Sequence, residues 1–133
     1  MSLTIEQHFS LQPLNSLALP AYAEYFCEVC DPHELLAALD YAREHKLEVT
    51  PLGGGSNLVL AGNLPGLVIH LNTSGINHSI GDNDCVEVCF AAGENWHQGV
   101  LTTLQRGWYG LENLSLIPGN MGAAPIQNIG AYG

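Results

Sequence analysis

Residues 52–57 read Leu52-Gly53-Gly54-Gly55-Ser56-Asn57. Three consecutive glycines leave no Cβ in the way, so the backbone can turn sharply or a ligand can approach it closely. The run is flanked by a strand-like segment, Leu47 to Leu52, and by an extended stretch, Leu58 to Leu60. A Walker phosphate loop would end in Gly-Lys-Ser/Thr, but the chain's only lysine, Lys46, precedes the run. A dinucleotide fingerprint would open a helix, whereas Leu58-Val59-Leu60 is not a helix start. Two readings remain open. One is an anion cradle of backbone N–H groups with Ser56 and Asn57, which needs no cation; the other is a tight turn with a bulge.

Outward from this loop, Asp31-Pro32-His33-Glu34 has the composition of a helix start: a capping carboxylate, a proline at the first helical position and a glutamate at capping-box spacing. Leu35, Leu36, Leu39 and Ala42 follow at helical spacing, which predicts an apolar face on a helix ending near Lys46. Strands are expected at Ala23 to Val29, Leu67 to Leu71 and Cys85 to Ala91, with at most a short one between Ile76 and Ile80. A second helix fits Asn95 to Arg106, capped by Asn95 and stopped at Gly107, with Trp96, Val100, Leu101 and Leu104 on one face. Met1 to Pro20 shows no clear period and is expected to lie over other elements. The order β-α-β-loop-β-β-β-α-loop predicts an α+β (mixed α/β) fold in one continuous unit, residues 1–133.

Composition narrows the function. Arg43, Lys46 and Arg106 are the only basic side chains besides histidine, against thirteen acids, giving a net charge of -10. Such a chain cannot neutralise a phosphate backbone, which argues against nucleic acid and anionic membranes as partners. No signal-peptide pattern and no bilayer-length apolar run is present, so the expected location is cytoplasmic. Cys27, Cys30, Cys85 and Cys89 are then expected as thiols, mostly buried in strands, with no metal assigned to them. Charged residues make up 12% of the chain, about half the usual share, as expected for a surface covered by other polypeptide.

The last seventeen residues, I-P-G-N-M-G-A-A-P-I-Q-N-I-G-A-Y-G from Ile117 to Gly133, hold only the amides of Asn120, Gln127 and Asn128 and the Tyr132 phenol as polar side chains. Small residues let backbone lie against a planar ligand while its amides bond a heterocycle edge. So long a stretch without a helix or strand pattern usually binds something. An ordered surface loop is the alternative. Histidines show no ligand spacing; His97 reads as a packing residue at a helix start.

These stretches together carry a resemblance. Leu14-Asn15-Ser16-Leu17, Leu52 to Asn57, A-G-E-N-W-H at Ala92 to His97, G-L-E-N-L at Gly110 to Leu114 and the Ile117 to Gly133 segment are similar, in order and separation, to the amino-terminal part of the UDP-N-acetylenolpyruvoylglucosamine reductases. That family consists of FAD enzymes of bacterial cell-wall peptidoglycan synthesis, whose FAD domain has the vanillyl-alcohol oxidase fold. The resemblance implies FAD as cofactor and NADPH as hydride donor. It also implies a UDP-sugar enolpyruvate as substrate, reduced to UDP-N-acetylmuramate.

By position it implicates Leu52, Gly53, Gly54, Gly55, Ser56 and Asn57 in holding the FAD pyrophosphate. Pro118, Gly119, Gly122, Ala123, Ala124, Ile126, Gly130 and Tyr132 are implicated in wrapping the rest of the cofactor. Ala123 and Ala124 stand where many relatives carry serines, so hydroxyl contacts are missing there. The family's catalytic arginine, serine and glutamate and its substrate domain have no counterpart here, which implies a fragment of the FAD domain with no catalytic residue of its own. Such a fragment is expected to be inactive, to retain little or no flavin on purification, and to self-associate through exposed apolar edges. The competing readings are an FAD oxidase of the same fold and a small non-catalytic binding module complete in itself.

Overall fold

The computed structural model describes residues 3–132; Met1 and Ser2 of the amino-terminal segment, and Gly133 at the end of the small-residue segment, lie outside the described residues. The elements run β1 (Glu6–Ser10), β2 (Tyr22–Val29), α1 (Pro32–His45), β3 (Val49–Leu52), β4 (Leu64–Leu71), β5 (Ile76–Ile80), β6 (Val86–Phe90) and α2 (Trp96–Gln105). Short 3₁₀ turns occupy Gln12–Leu14, Asp82–Asp84, Glu112–Leu114, Met121–Ala123 and Ile129–Tyr132. The mixture of helices with parallel and antiparallel strands is the α+β class that the sequence predicts. Contacts divide the chain into two compact units, residues 1–72 and 73–133.

In the first unit four strands form one sheet in the order β1-β2-β4-β3. β1 is antiparallel to β2, while β4 lies parallel to both β2 and β3. Leu67-Val68-Ile69 is a continuous apolar run because the sheet is covered on both faces. Cys27, Val29, Leu67 and Ile69 pack with Ala38 and Ala42 of α1 on one face. Leu11, Ala23, Phe26, Leu52 and Val68 form the other core, with Leu14, Leu58 and Leu60 against it. The faces alternate along β2 and β4 as a pleated strand requires.

Asp31 caps α1 as expected, its carboxylate accepting from the N–H groups of His33 at 2.7 Å and Glu34 at 2.9 Å. Glu34 reaches back one residue further than a capping box, taking the Cys30 N–H at 2.8 Å. The helix face is a correction. Leu36 and Leu39 are exposed, and the buried positions are Ala38 and Ala42, flanked by Leu35 and Tyr41. Small residues at the contact let the helix lie close to the sheet.

Two other expectations change. The amino-terminal segment contains a strand, β1, whose Phe9 stacks on Phe26 with ring centroids 3.8 Å apart. Leu58 to Leu60 belongs to no strand but to the connection between parallel neighbours β3 and β4. Leu58 and Leu60 pack inward there while Val59 is exposed.

In the second unit β5 and β6 form an antiparallel pair with Ile76 opposite Phe90 and Ile80 opposite Val86. Helix α2 starts at Asn95, whose side chain accepts the Gln98 N–H at 3.0 Å. It ends in a Schellman turn, with the Gly107 N–H on the Leu104 carbonyl at 3.0 Å and the Trp108 N–H on Thr103 at 2.9 Å. Trp96, Val100 and Ala124 form the core, enclosed by Leu104, Leu111, Leu114, Ile117, Met121 and Ile129. Gly99 and Thr103 share the buried face of α2, whereas Leu101 is only half-buried.

Candidate functional site

The sequence singles out one segment in each unit. In the first, β3 delivers the chain into the glycine run. The Leu52 side chain is committed to the core beside Val68, leaving only its backbone for a ligand. Gly53 and Ser56 are half-buried, while Gly54 and Asn57 are exposed. Gly55 is buried with φ +64°, and a Cβ there would overlap the Leu14 carbonyl oxygen and lie 2.9 Å from the Asn15 Cα. Its carbonyl accepts the Ser16 N–H at 3.1 Å.

The turn beneath Gly55 is braced by buried Asn15. The Asn15 amide nitrogen donates to the Leu11 carbonyl at 2.9 Å and the Leu19 carbonyl at 3.1 Å, and its oxygen accepts the Leu19 N–H at 2.9 Å. The glycine run is therefore seated on the Leu14-Asn15-Ser16 turn, two stretches the sequence had matched separately.

In the second unit the start of α2 grips the segment that follows it. The Trp96 indole N–H donates to the Leu114 carbonyl at 2.7 Å, and the Trp96 backbone N–H donates to Gly119 at 2.9 Å. The Leu116 N–H donates to His97 Nδ1 at 3.1 Å. Asn95 and Asn120 form an antiparallel bridge. Met121 and Gly122 donate to the carbonyls of Glu94 at 2.8 Å and Ala92 at 2.9 Å. Gly122 lies so close to Ala92 that an added Cβ would stand 2.7 Å from the Ala92 Cβ, and Ala124 is buried in the core. Both small residues thus have a packing reason for their size.

The remainder is held in tight turns, with the Gln127, Ile129 and Ala131 N–H groups on the carbonyls of Ala123, Ala124 and Asn128 at 2.9, 3.1 and 3.0 Å. Ile129–Tyr132 is itself a 3₁₀ turn. The segment is thus folded, where its sequence shows no helix or strand pattern. Ala123 is half-buried; Pro118, Ile126, Gly130 and Tyr132 are exposed. Gln127 stands apart: its Nε2 is buried and has no hydrogen-bond partner among the described residues. A buried amide without an acceptor is costly unless a ligand or water supplies one. In the sequence Gln127 is one of three amides of the stretch, beside Asn120 and Asn128, and nothing there distinguishes it from the other two.

The thiols correct another expectation. Only Cys27 is buried; Cys30, Cys85 and Cys89 are exposed. Burial first, and the Glu34 carboxylate second, push the Cys27 thiol up to about 11. Desolvation and the carboxylates of Glu28, Glu34 and Asp31 raise Cys30 as well. Neither carries the lowered pKa of an activated nucleophile. A cavity of about 300 Å³ lined by His8, Tyr22, Glu24 and Asn63 shares no lining residue with either segment.

Four known proteins and families resemble the chain. A family model described as an FAD binding domain matches residues 23–133. A UDP-N-acetylenolpyruvoylglucosamine reductase of Chromobacterium violaceum is 47% identical over 133 residues, all of this chain and 39% of that protein. One from Pseudomonas fluorescens is 46% identical over the same coverage, so the chain spans about two fifths of these curated relatives. A solved UDP-N-acetylenolpyruvylglucosamine reductase from Thermus caldophilus matches with a TM-score of 0.63 and 25% identity, over 93% of this chain and 41% of that one.

Proposed function

The chain belongs to the FAD binding domain family, and from that premise we propose that it is the FAD-holding part of an NADPH-dependent reductase. The substrate is a UDP-N-acetylglucosamine enolpyruvate and the product UDP-N-acetylmuramate, in cytoplasmic peptidoglycan synthesis. What carries this reading is the similarity to reductases of that name along all 133 residues.

The residues present fit the cofactor. Gly53 to Asn57 offer backbone N–H groups, with Ser56 and Asn57 side chains, to a pyrophosphate in a loop that bears no cation. Pro118, Gly119, Gly122, Ala123, Ala124, Ile126, Gly130 and Tyr132 take the rest of the cofactor, largely through backbone. The unpartnered Gln127 Nε2 is a donor suited to a carbonyl of a heterocycle edge. When bound, FAD supplies the two-electron chemistry that links NADPH to the enolpyruvyl double bond. The chain's part is to bind and orient. Catalytic groups and the substrate site are assigned to residues outside it, and the chain self-associates through exposed apolar edges.

The test is a titration of the purified chain with FAD, followed by flavin fluorescence, beside an assay of NADPH oxidation with the enolpyruvyl substrate. Expected are protein purified without flavin, weak saturable FAD binding that ADP competes for, and no turnover. Absence of saturable binding would overturn the FAD assignment, and turnover by the chain alone would overturn the placement of catalysis.

A further inference from the structure

We propose that His97 is a positioning residue: as a neutral ring with its proton on Nε2, it accepts the Leu116 N–H and fixes the backbone leading into residues 118–132. The proposal rests on the reading of those residues as cofactor-binding.

A backbone N–H can only donate, so the 3.1 Å contact from Leu116 requires a lone pair on His97 Nδ1, which fixes the tautomer. Leu116 needs an external hold. Its φ is +64°, a left-handed conformation that is strained for a residue with a Cβ. Its side chain is 78% exposed, so packing does not fix it.

Trp96 grips the chain on either side, at Leu114 and at Gly119. His97 supplies the grip between them, one residue along the same helical turn. The segment that follows carries Gly119, Ala123, Ala124 and the Gln127 amide, whose Nε2 has no partner among the described residues; Gly119, Met121 and Gly122 are bonded in turn to Trp96, Glu94 and Ala92, so His97 sets the entry to a stretch that those bonds continue.

The acidic groups around the first turn of α2 are both engaged: the Glu94 carboxylate takes the Gly75 N–H at 2.7 Å, and Glu112 takes the Gly110 N–H at 2.6 Å. The Glu112 carboxyl is held below its ordinary range by that bond. Arg106 sits at the far end of α2, its guanidinium 5.0 Å over the Trp108 ring, and the His78 ring lies tilted against that same ring with centroids 4.6 Å apart.

The test uses the full chain with His97→Ala and His97→Asn. The Asn Oδ1 stands near the place of Nδ1 and accepts but does not titrate. The expected results begin with ¹⁵N NMR showing His97 as the Nε2–H tautomer. His97→Ala speeds Leu116 amide exchange relative to its intrinsic rate and weakens FAD about fivefold, as loss of one hydrogen bond implies. His97→Asn restores both within about twofold, by the same measure.

An Nδ1–H tautomer, unchanged Leu116 exchange in His97→Ala, or unchanged FAD affinity despite faster exchange would each overturn the proposal. Should the Ala variant not fold, a folded Asn variant whose Leu116 exchange and FAD affinity both depart from wild type by more than about twofold overturns it equally. A wild-type chain that binds no FAD overturns the functional reading instead, and the tautomer and exchange arms then decide the latch by themselves.

Discussion

Gly55 shows what a residue-scale reading of the sequence could and could not reach. Three glycines in a row announce a backbone that turns or is closely approached, but not which glycine is indispensable or against what. The structure gives the answer: Gly55 has φ +64° and its missing side chain is occupied by the Leu14 carbonyl. Gly55→Ala is expected to destabilise the chain by roughly 3 kcal/mol, combining left-handed strain with displacement of a backbone oxygen. Gly62, in the same connection between β3 and β4, has open space where a Cβ would go and no positive φ. Gly62→Ala should therefore be neutral or stabilise by up to about 1 kcal/mol. Urea unfolding of the two variants separates the cases, and equal effects would refute this account. His97 and Gln127 were legible only as residue types, because one bonds a partner nineteen residues away and the other has a buried Nε2 with no partner among the described residues.

At the scale of elements, local chemistry was readable where it is local. The start of α1 follows from Asp31 and Pro32, and the stop of α2 follows from Gly107. The packing face of α1 was not readable, because leucines outweigh alanines in any apolar count while Ala38 and Ala42 make the close approach to the sheet. Nor was β1, whose Glu6-Gln7-His8-Phe9-Ser10 has one apolar residue and owes its strand to pairing with β2.

The cap can be tested by pH. N–H bonds from Glu34 first, and also from His33, hold the Asp31 carboxyl below its ordinary value of 3.8. A lowered folded value means stability that is present above 3.8 and is lost as pH falls through the folded value. Asp31→Ala should therefore lower the melting temperature at neutral pH, with the deficit shrinking on acidification below 3.8. Asp31→Asn, which caps without titrating, should remain near wild type at neutral pH. A deficit for the Ala variant that stays constant down to pH values where the carboxyl is protonated would show that the cap charge is not the cause.

For the whole molecule, the order of helices and strands from β2 onward was legible because each of these leaves its own period in the sequence. The sheet order β1-β2-β4-β3 was not, since parallel neighbours are chosen by tertiary packing. Nor did periodicity reveal that the chain gathers into two units, each with its own core. Charge and apolar exposure act at this scale too. Ile80, Tyr109 and Ile126 are 80%, 80% and 84% exposed, and Ile80 ends a strand of a two-stranded sheet with no further partner among the described residues. Open strand edges with apolar side chains favour association, while a net charge of -10 opposes it. Salt decides between them, because at 1 M the screening length falls to about 3 Å and leaves apolar contact unopposed. In sedimentation the chain should run near its 14.2 kDa monomer mass at low salt and as larger species at high salt. Ile80→Lys should shift the high-salt distribution back toward monomer. A chain that stays monomeric at both salt concentrations, or an Ile80→Lys variant that associates as wild type does, would remove the exposed β5 end as the contact and with it this account of self-association.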